Sequence, residues 1–188
     1  ARLDAALLMQ RYSRLVIDCN RPLHSPESIA THSDGTVIPG NAELGRDDIE
    51  RRRLAIFEPY HAAIRAQLDA RQQRGQRSLL IALHSYTPVW QGRTRPWHVG
   101  VLYGRDARLA RALGAALAGE PGLIVGDNQP YDVSDDSDYA IPVHGEQRGL
   151  LHVELEIRQD LIADIAGQQH WAELLARLLP PLLSALPH

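Results

Sequence analysis

Five short apolar runs alternate along this chain with segments of helical spacing, and no other feature restricts its fold so strongly. The runs are SRLVIDCN (13–20), SLLIALH (78–84), HVGVLYG (98–104), GLIVGDN (122–128) and GLLHVELEI (149–157). The last alternates Leu151, Val153, Leu155 and Ile157 against His152, Glu154 and Glu156, the period of a strand. Between the runs, the spacing predicts a helix over 2–11. A second helix starts at Asp47 or Asp48 as cap and extends to Arg74. It carries the stripe Phe57, His61, Ile64, Leu68 and bends at Pro59. A third, capped by Asp106, covers 107–119, and the C-terminal remainder is helical until Pro180-Pro181 breaks it. Strands and helices alternating at these lengths predict an α/β fold, a three-layer αβα arrangement on a largely parallel mixed sheet. The 188 residues suffice for one core, and the chain is read as a single domain.

Charge and cysteine content narrow the partners. The net charge of −3 gives no reason to expect nucleic acid or an acidic membrane surface. Arg51-Arg52-Arg53 is the one tight basic run and reads as a solvated helix face. The single cysteine, Cys19, excludes an internal disulfide framework and fits a reducing compartment, so the expected location is cytoplasmic. Its place in an apolar run makes it a packing residue. The apolar tail LLARLLPPLLSALP is interrupted by Arg177 and the two prolines, which excludes a membrane span.

In parallel sheets, sites collect beyond the C-terminal ends of the strands. Three of the predicted strands end in polar groups: Asp18-Cys19-Asn20-Arg21, His84-Ser85-Tyr86, and Glu154 with Glu156 before Arg158. Each has a plain reading by itself: a turn, a histidine closing a strand, a half-solvated edge. Together they supply an imidazole, an amide, a guanidinium and carboxylates. Imidazole and carboxylate are common zinc ligands, a second carboxylate can activate water, and an arginine fork suits a substrate carboxylate. These are the parts of a metal-assisted amide hydrolase acting on acidic substrates. The chain contains neither HExxH nor GxSxG, so Ser85 and Cys19 are poor nucleophiles. The long connection from Arg21 to Arg46 exceeds the usual loop and marks a functional or disordered segment.

In order, YSRLVIDCNRP, LLIALHSYTP, VGVLYGRD, GDNQPYD and GLLHVELEIRQDLI resemble the N-formylglutamate amidohydrolase family over about residues 10–165. The family is similar in fold to zinc carboxypeptidases and aspartoacylases, a phosphorylase/hydrolase-like architecture. The resemblance implies hydrolysis of the N-acyl amide of a small acidic N-acyl amino acid, with glutamate and formate as products of the family's named reaction in histidine degradation. It implies zinc as cofactor with His84 as a ligand. Asn20 and Arg21 would hold the substrate carboxylate or polarise its carbonyl, oriented by Asp18. Glu156 would be the general base, with Glu154 as the alternative. Ser85, Tyr86, Asn128 and Tyr131 would line the substrate pocket. Family members carry an early histidine motif for further zinc ligands; LHSPES (23–28) follows the Asn-Arg element instead of preceding it. The remaining ligands are therefore expected upstream of Ala1. The competing reading is a non-catalytic α/β module that binds an acidic ligand through Arg21 without metal.

Overall fold

The computed structural model describes residues 3–186. The elements in chain order are a small hairpin of β1 (His32–Ser33) and β2 (Thr36–Val37), then α1 (Arg46–Arg52), a π-helical stretch Arg53–Phe57 and α2 (Glu58–Gln73). Strand β3 (Leu79–Tyr86) follows, then a second hairpin of β4 (Val89–Trp90) and β5 (Arg93–Thr94), strand β6 (Val99–Leu102), and α3 (Arg108–Ala118). Strand β7 (Val125–Asp127), a π-helical stretch Ala140–Glu146, β8 (Leu151–Arg158) and α4 (Ile165–Ala185) complete the chain.

Four strands form the main sheet in the order β3-β8-β6-β7. β3 and β8 are parallel, β6 and β7 are parallel, and β8 meets β6 antiparallel. The sheet is thus mixed and mostly parallel, as the alternation predicts. β8 is central, which removes the edge-strand explanation for its glutamates. One face carries Leu151, Val153, Leu155 and Ile157 against Leu109, Leu113 and Leu117 of α3 and Trp171, Leu174 and Leu179 of α4. Period-2 alternation sends His152, Glu154 and Glu156 to the other face, yet they too are buried.

What covers that second face differs from the sequence expectation. Residues 13–20 are not a strand; the segment is irregular, with turns at 14–16 and 19–20. Ile17 and Cys19 are buried all the same, packing on Ile56 and Phe57, while Leu15 is exposed. The backbone finds partners in side chains instead of a neighbouring strand. Asn41 Nδ2 donates to the Leu15 carbonyl, Arg52 to the Val16 carbonyl, and the His61 ring bonds the Cys19 carbonyl. Arg52 is therefore part of this scaffold, bonding also Asn41 Oδ1 and the Gly40 carbonyl, and the basic run is only partly a solvated face.

The helices bring four further corrections. Residues 3–11 are not helical, and Arg2 lies outside the described residues. Leu7 and Met9 are exposed while Leu3 packs on the core cluster, so the apolar residues form no single packed face, and packing is what stabilises most protein helices. Gly45 occupies the N-cap of α1 while Asp47 and Asp48 lie in its first turn. At Pro59, which has no N–H and crowds the carbonyl four residues earlier, the chain stays helical. The preceding turn widens, with the Glu58 N–H reaching back to Arg53 O. Likewise Pro180-Pro181 lies inside α4. Leu179 is buried there, and Leu178 and Leu182 pack on the core cluster, which offsets the donors lost at the prolines.

Candidate active site

The site forms where β3 and β8 run side by side. His84 is the register partner of Glu156, and Ala82 that of Glu154, so His84, Glu154 and Glu156 share the second face of the sheet. Across β6 and β7, Gly100 pairs with Glu156 and Gly126 with Gly100. A row His84–Glu156–Gly100–Gly126 therefore crosses all four strands. The two glycines make room for the loop after β7. A Cβ on Gly100 would stand 2.1 Å from the Gln129 carbonyl oxygen, and one on Gly126 2.8 Å from Gln129 Cβ.

Above this row sits a polar lattice. Asn20 Nδ2 donates to Glu154 Oε2 and to Asp138 Oδ1, both at 3.2 Å. Its Oδ1 accepts the backbone N–H groups of Tyr139 and Ala140, so both ends of the amide are engaged inside the protein. Asp18 Oδ1 accepts the Asn20 N–H at 2.9 Å, and its other oxygen is paired with Arg14. Arg21 binds the Ser137 carbonyl and lies against two carboxylates, Asp138 and Glu27, at 3.3 Å each.

Burial dominates the electrostatics. Glu154 is pushed up to about 8, by burial first and then by the charges of Asp138 and Glu156. Glu156 is pushed up to about 7 by burial, partly offset by the guanidinium charges of Arg14, Arg21 and Arg95. Burial also raises Asp138. His84 is lowered to about 4 by burial, although its ring keeps 32% exposure, and its neutral form is favoured at pH 7. The His84 Nε2 to Glu154 Oε2 separation of 3.9 Å therefore joins two groups that are both uncharged near neutrality. Glu156 Oε2 is buried with no partner.

The other expected site residues are more dispersed. Ser85 pairs in register with Ile157 and so points to the face opposite His84. Tyr86 is buried and its hydroxyl donates to the Trp97 carbonyl. Asn128 Oδ1 accepts the Tyr103 N–H at 2.9 Å, fixing the loop after β7. The Tyr131 hydroxyl accepts from Arg95 at 2.7 Å. Asp138, Arg14 and Arg95 were not singled out from sequence. Asp138 is one of several acids in DVSDDSD, and Arg95 sits in an unpatterned turn, so neither carries a local signal. Cys19 is buried, and its thiol is pushed up to about 11 by burial, which suits packing and not nucleophilic attack.

Catalytic zinc takes three protein ligands and keeps one position open. Among the described residues no group of three His, Cys, Asp or Glu is disposed to hold a metal; His84 and Glu154 are a pair only. By themselves these residues do not complete a zinc site. A hollow lined by Leu68, Gln72 and Leu150 lies toward the opposite ends of β3 and β8, away from His84 and Glu156. Among the described residues no helix is long and apolar enough to cross a membrane.

The family model described as N-formylglutamate amidohydrolase matches residues 1–163. Gene product Atu2144 from Agrobacterium tumefaciens is 38% identical in its crystal structure, with a TM-score of 0.88 over 93% of this chain and 69% of that one. The crystal structure of N-formylglutamate amidohydrolase from Ralstonia eutropha JMP134 is 18% identical, with a TM-score of 0.68 over 92% of this chain and 75% of that one, a likeness of fold. No curated protein matches the chain.

Proposed function

Since the chain belongs to the N-formylglutamate amidohydrolase family, an enzyme family of amide hydrolases, we propose that it cleaves the N-acyl amide of a small acidic N-acyl amino acid such as N-formylglutamate. The observation that carries this reading is Glu156. Its Oε2 is buried and unpartnered beside His84, and its carboxyl is poised at about 7, where a general base works best at neutral pH.

In the proposed reaction, the Glu156 carboxylate takes a proton from water as the oxygen adds to the acyl carbon. The same proton passes to the amide nitrogen as the C–N bond breaks, releasing the amine and the carboxylic acid. Glu154, held protonated at neutral pH, adds no second negative charge beside the developing oxyanion. Environments that push two neighbouring carboxyls to different protonation states are a recurrent way of dividing acid and base roles. Asn20, fixed by Asp18 and hydrogen-bonded also to Asp138, holds Glu154 in place.

Zinc is the proposed cofactor, with His84 the ligand this chain would give it. Bound there, it would polarise the acyl carbonyl and water. No step above depends on it, and elemental analysis of the purified protein tests it directly. About one zinc per chain is expected, and its absence from fully active protein overturns the metal assignment. The reaction itself is tested with N-formyl, N-acetyl and N-succinyl amino acids. Release of the acid from N-formylglutamate is expected, with kcat lower by about 10²–10⁴ in Glu156→Gln and an unchanged melting temperature. No hydrolysis across the panel, or full activity in Glu156→Gln, rejects the reading.

A further inference from the structure

Arg95 is a buried cation with no acidic partner. Its residue exposure is 8%, and no carboxylate pairs with it among the described residues. Three rings surround the guanidinium instead, with its central carbon 4.9 Å from the Tyr131 centroid, 5.4 Å from Trp90 and 5.6 Å from Tyr86. These distances are within the range of cation–π attraction. One nitrogen donates to the Tyr131 hydroxyl at 2.7 Å. Among the described residues the polar side-chain atoms sealed off without partners are His144 Nδ1, His152 Nε2 and Glu156 Oε2. No Arg95 nitrogen is among them, and the residue keeps 8% exposure. A guanidinium held this way is short of one thing, an anion.

The cage is built, not incidental. The β4–β5 hairpin delivers Arg95, and its N–H donates to the Pro88 carbonyl at 2.8 Å. The Arg158 guanidinium reaches the carbonyls of Arg95, Pro96 and Trp97 at 3.3–3.5 Å. The Tyr86 hydroxyl holds the Trp97 carbonyl. The cage also stands in the right place. Tyr86 and Arg158 are the register pair that follows His84 and Glu156 on the same face, one strand repeat of roughly 6.7 Å further along. In a glutamyl substrate, four bonds of about 1.5 Å separate the amide nitrogen from the side-chain carboxyl carbon, a reach of roughly 5 Å. Arg21, by contrast, already lies against Asp138 and Glu27.

We propose that Arg95, caged by Tyr86, Trp90 and Tyr131, is the anion anchor for the side-chain carboxylate of the substrate, and so sets the preference for acidic N-acyl amino acids. The inference rests on the amidohydrolase reading for its substrate, and direct binding separates the two. The guanidinium fork would meet the carboxylate through two N–H donors, while the rings exclude water and fix its plane. Lysine would keep the charge but lose the fork.

The test compares wild type, Arg95→Met and Arg95→Lys, with melting curves confirming that each variant folds. N-formylglutamate and N-formylglutamine are the substrates, and glutarate binding is followed by calorimetry. For N-formylglutamate, Arg95→Met is expected to raise KM at least about 30-fold with kcat changed less than about 3-fold, and Arg95→Lys to fall between. N-formylglutamine loses less, so that the preference for the charged substrate in kcat/KM falls at least about 10-fold, and glutarate binding by wild type is lost in Arg95→Met. Equal losses for the charged and neutral substrates overturn the inference, as does glutarate binding that is undetectable in wild type or unchanged in Arg95→Met. Glutarate binding that depends on Arg95 without any turnover by wild type upholds the anion site and sinks the amidohydrolase reading. Should Arg95→Met not fold, Arg95→Lys and Tyr131→Phe, which removes the hydroxyl holding the guanidinium, carry the same comparison.

Discussion

Asn20 and Glu154 stand 134 positions apart in the chain and are joined by a 3.2 Å hydrogen bond at the floor of the site. The same amide nitrogen also serves Asp138, so one neutral side chain separates two buried acids. Asn20→Asp would replace both donated hydrogens with a third carboxyl and leave the backbone N–H groups of Tyr139 and Ala140 facing an altered partner. Removing one partner from a buried polar group costs about 1–3 kcal/mol, and more when charge is involved. Asn20→Asp is therefore expected to lower stability at pH 8 by at least about 3 kcal/mol in urea unfolding. The loss should shrink toward pH 5, where added protons relieve the repulsion between the carboxyls. A loss of stability independent of pH would show that the amide acts by shape alone.

Gly100 makes a second prediction. The Gln129 carbonyl oxygen occupies the space where a Cβ would lie, at 2.1 Å, and the clash is with backbone, which cannot swing aside. Gly100→Ala must push the loop of residues 128–131 off the sheet. Overpacking of this kind costs roughly 1–3 kcal/mol. Because that loop carries Tyr131, N-formylglutamate turnover should suffer more than the melting temperature suggests. Gly114→Ala serves as comparison: its added Cβ meets only the Val101 side chain, at 3.1 Å, on the face of the sheet that packs against α3. Equal activity in the two variants would detach the glycine row from the site.

The buried histidine pair gives a pH dependence. His61 and His144 are 0% and 1% exposed. They share a 2.9 Å ring-to-ring hydrogen bond, and the second His61 nitrogen bonds the Cys19 carbonyl at 2.9 Å. That carbonyl can only accept, so His61 Nε2 carries a proton and Nδ1 accepts from His144. His144 Nδ1 is then the unpartnered atom. Both imidazoles are lowered to about 4, chiefly by burial. Above pH 6.5 folded and unfolded chains are both neutral at these rings and nothing is lost. Between 6.5 and about 4 the unfolded chain binds protons that the folded chain refuses, and stability falls as pH falls. At about 1.4 kcal/mol per unit, each ring costs on the order of 3 kcal/mol at the acid limit. Chemical unfolding at pH 7, 5.5 and 4.5 measures this. His144→Gln keeps a donor for His61 but does not titrate, and should remove about half of the acid loss. An unaltered acid limb in that variant refutes the assignment.

Sequence reading captured what depends on local pattern. The runs at 98–104 and 122–128 contain β6 and β7, and those at 78–84 and 149–157 cover all but the last two residues of β3 and the last of β8, because the alternation of a strand is written into Leu151, Val153, Leu155 and Ile157. The same reasoning misassigns 13–20, since an apolar run reports burial and not the partner of its backbone. There Asn41, Arg52 and His61 supply side-chain hydrogen bonds that no spacing announces. The polar strand ends are visible one by one, but their register is not: only the pairing of β3 with β8 shows that His84 lies beside Glu156 while Ser85 turns away. Arg95 is silent because its significance lies in the lack of a salt-bridge partner among the described residues and in rings drawn from three separate positions.

The two central glutamates can be told apart by neutralising each. Glu154 is buried deeper among acids and raised to about 8, so it is mostly protonated at pH 7. Glutamine there imitates the form already present, and Glu154→Gln is expected to retain kcat within about 10-fold. Glu156 titrates near neutrality and keeps an unpartnered oxygen, so glutamine there removes the acceptor for the water proton. Loss of a general base typically costs about 10²–10⁴ in rate. The measurement is kcat for N-formylglutamate at pH 7 in both variants, with melting temperature as control. The expected order is wild type, then Glu154→Gln, then Glu156→Gln far below. Reversal of the two variants would transfer the base to Glu154 and make Glu156 the residue that holds it.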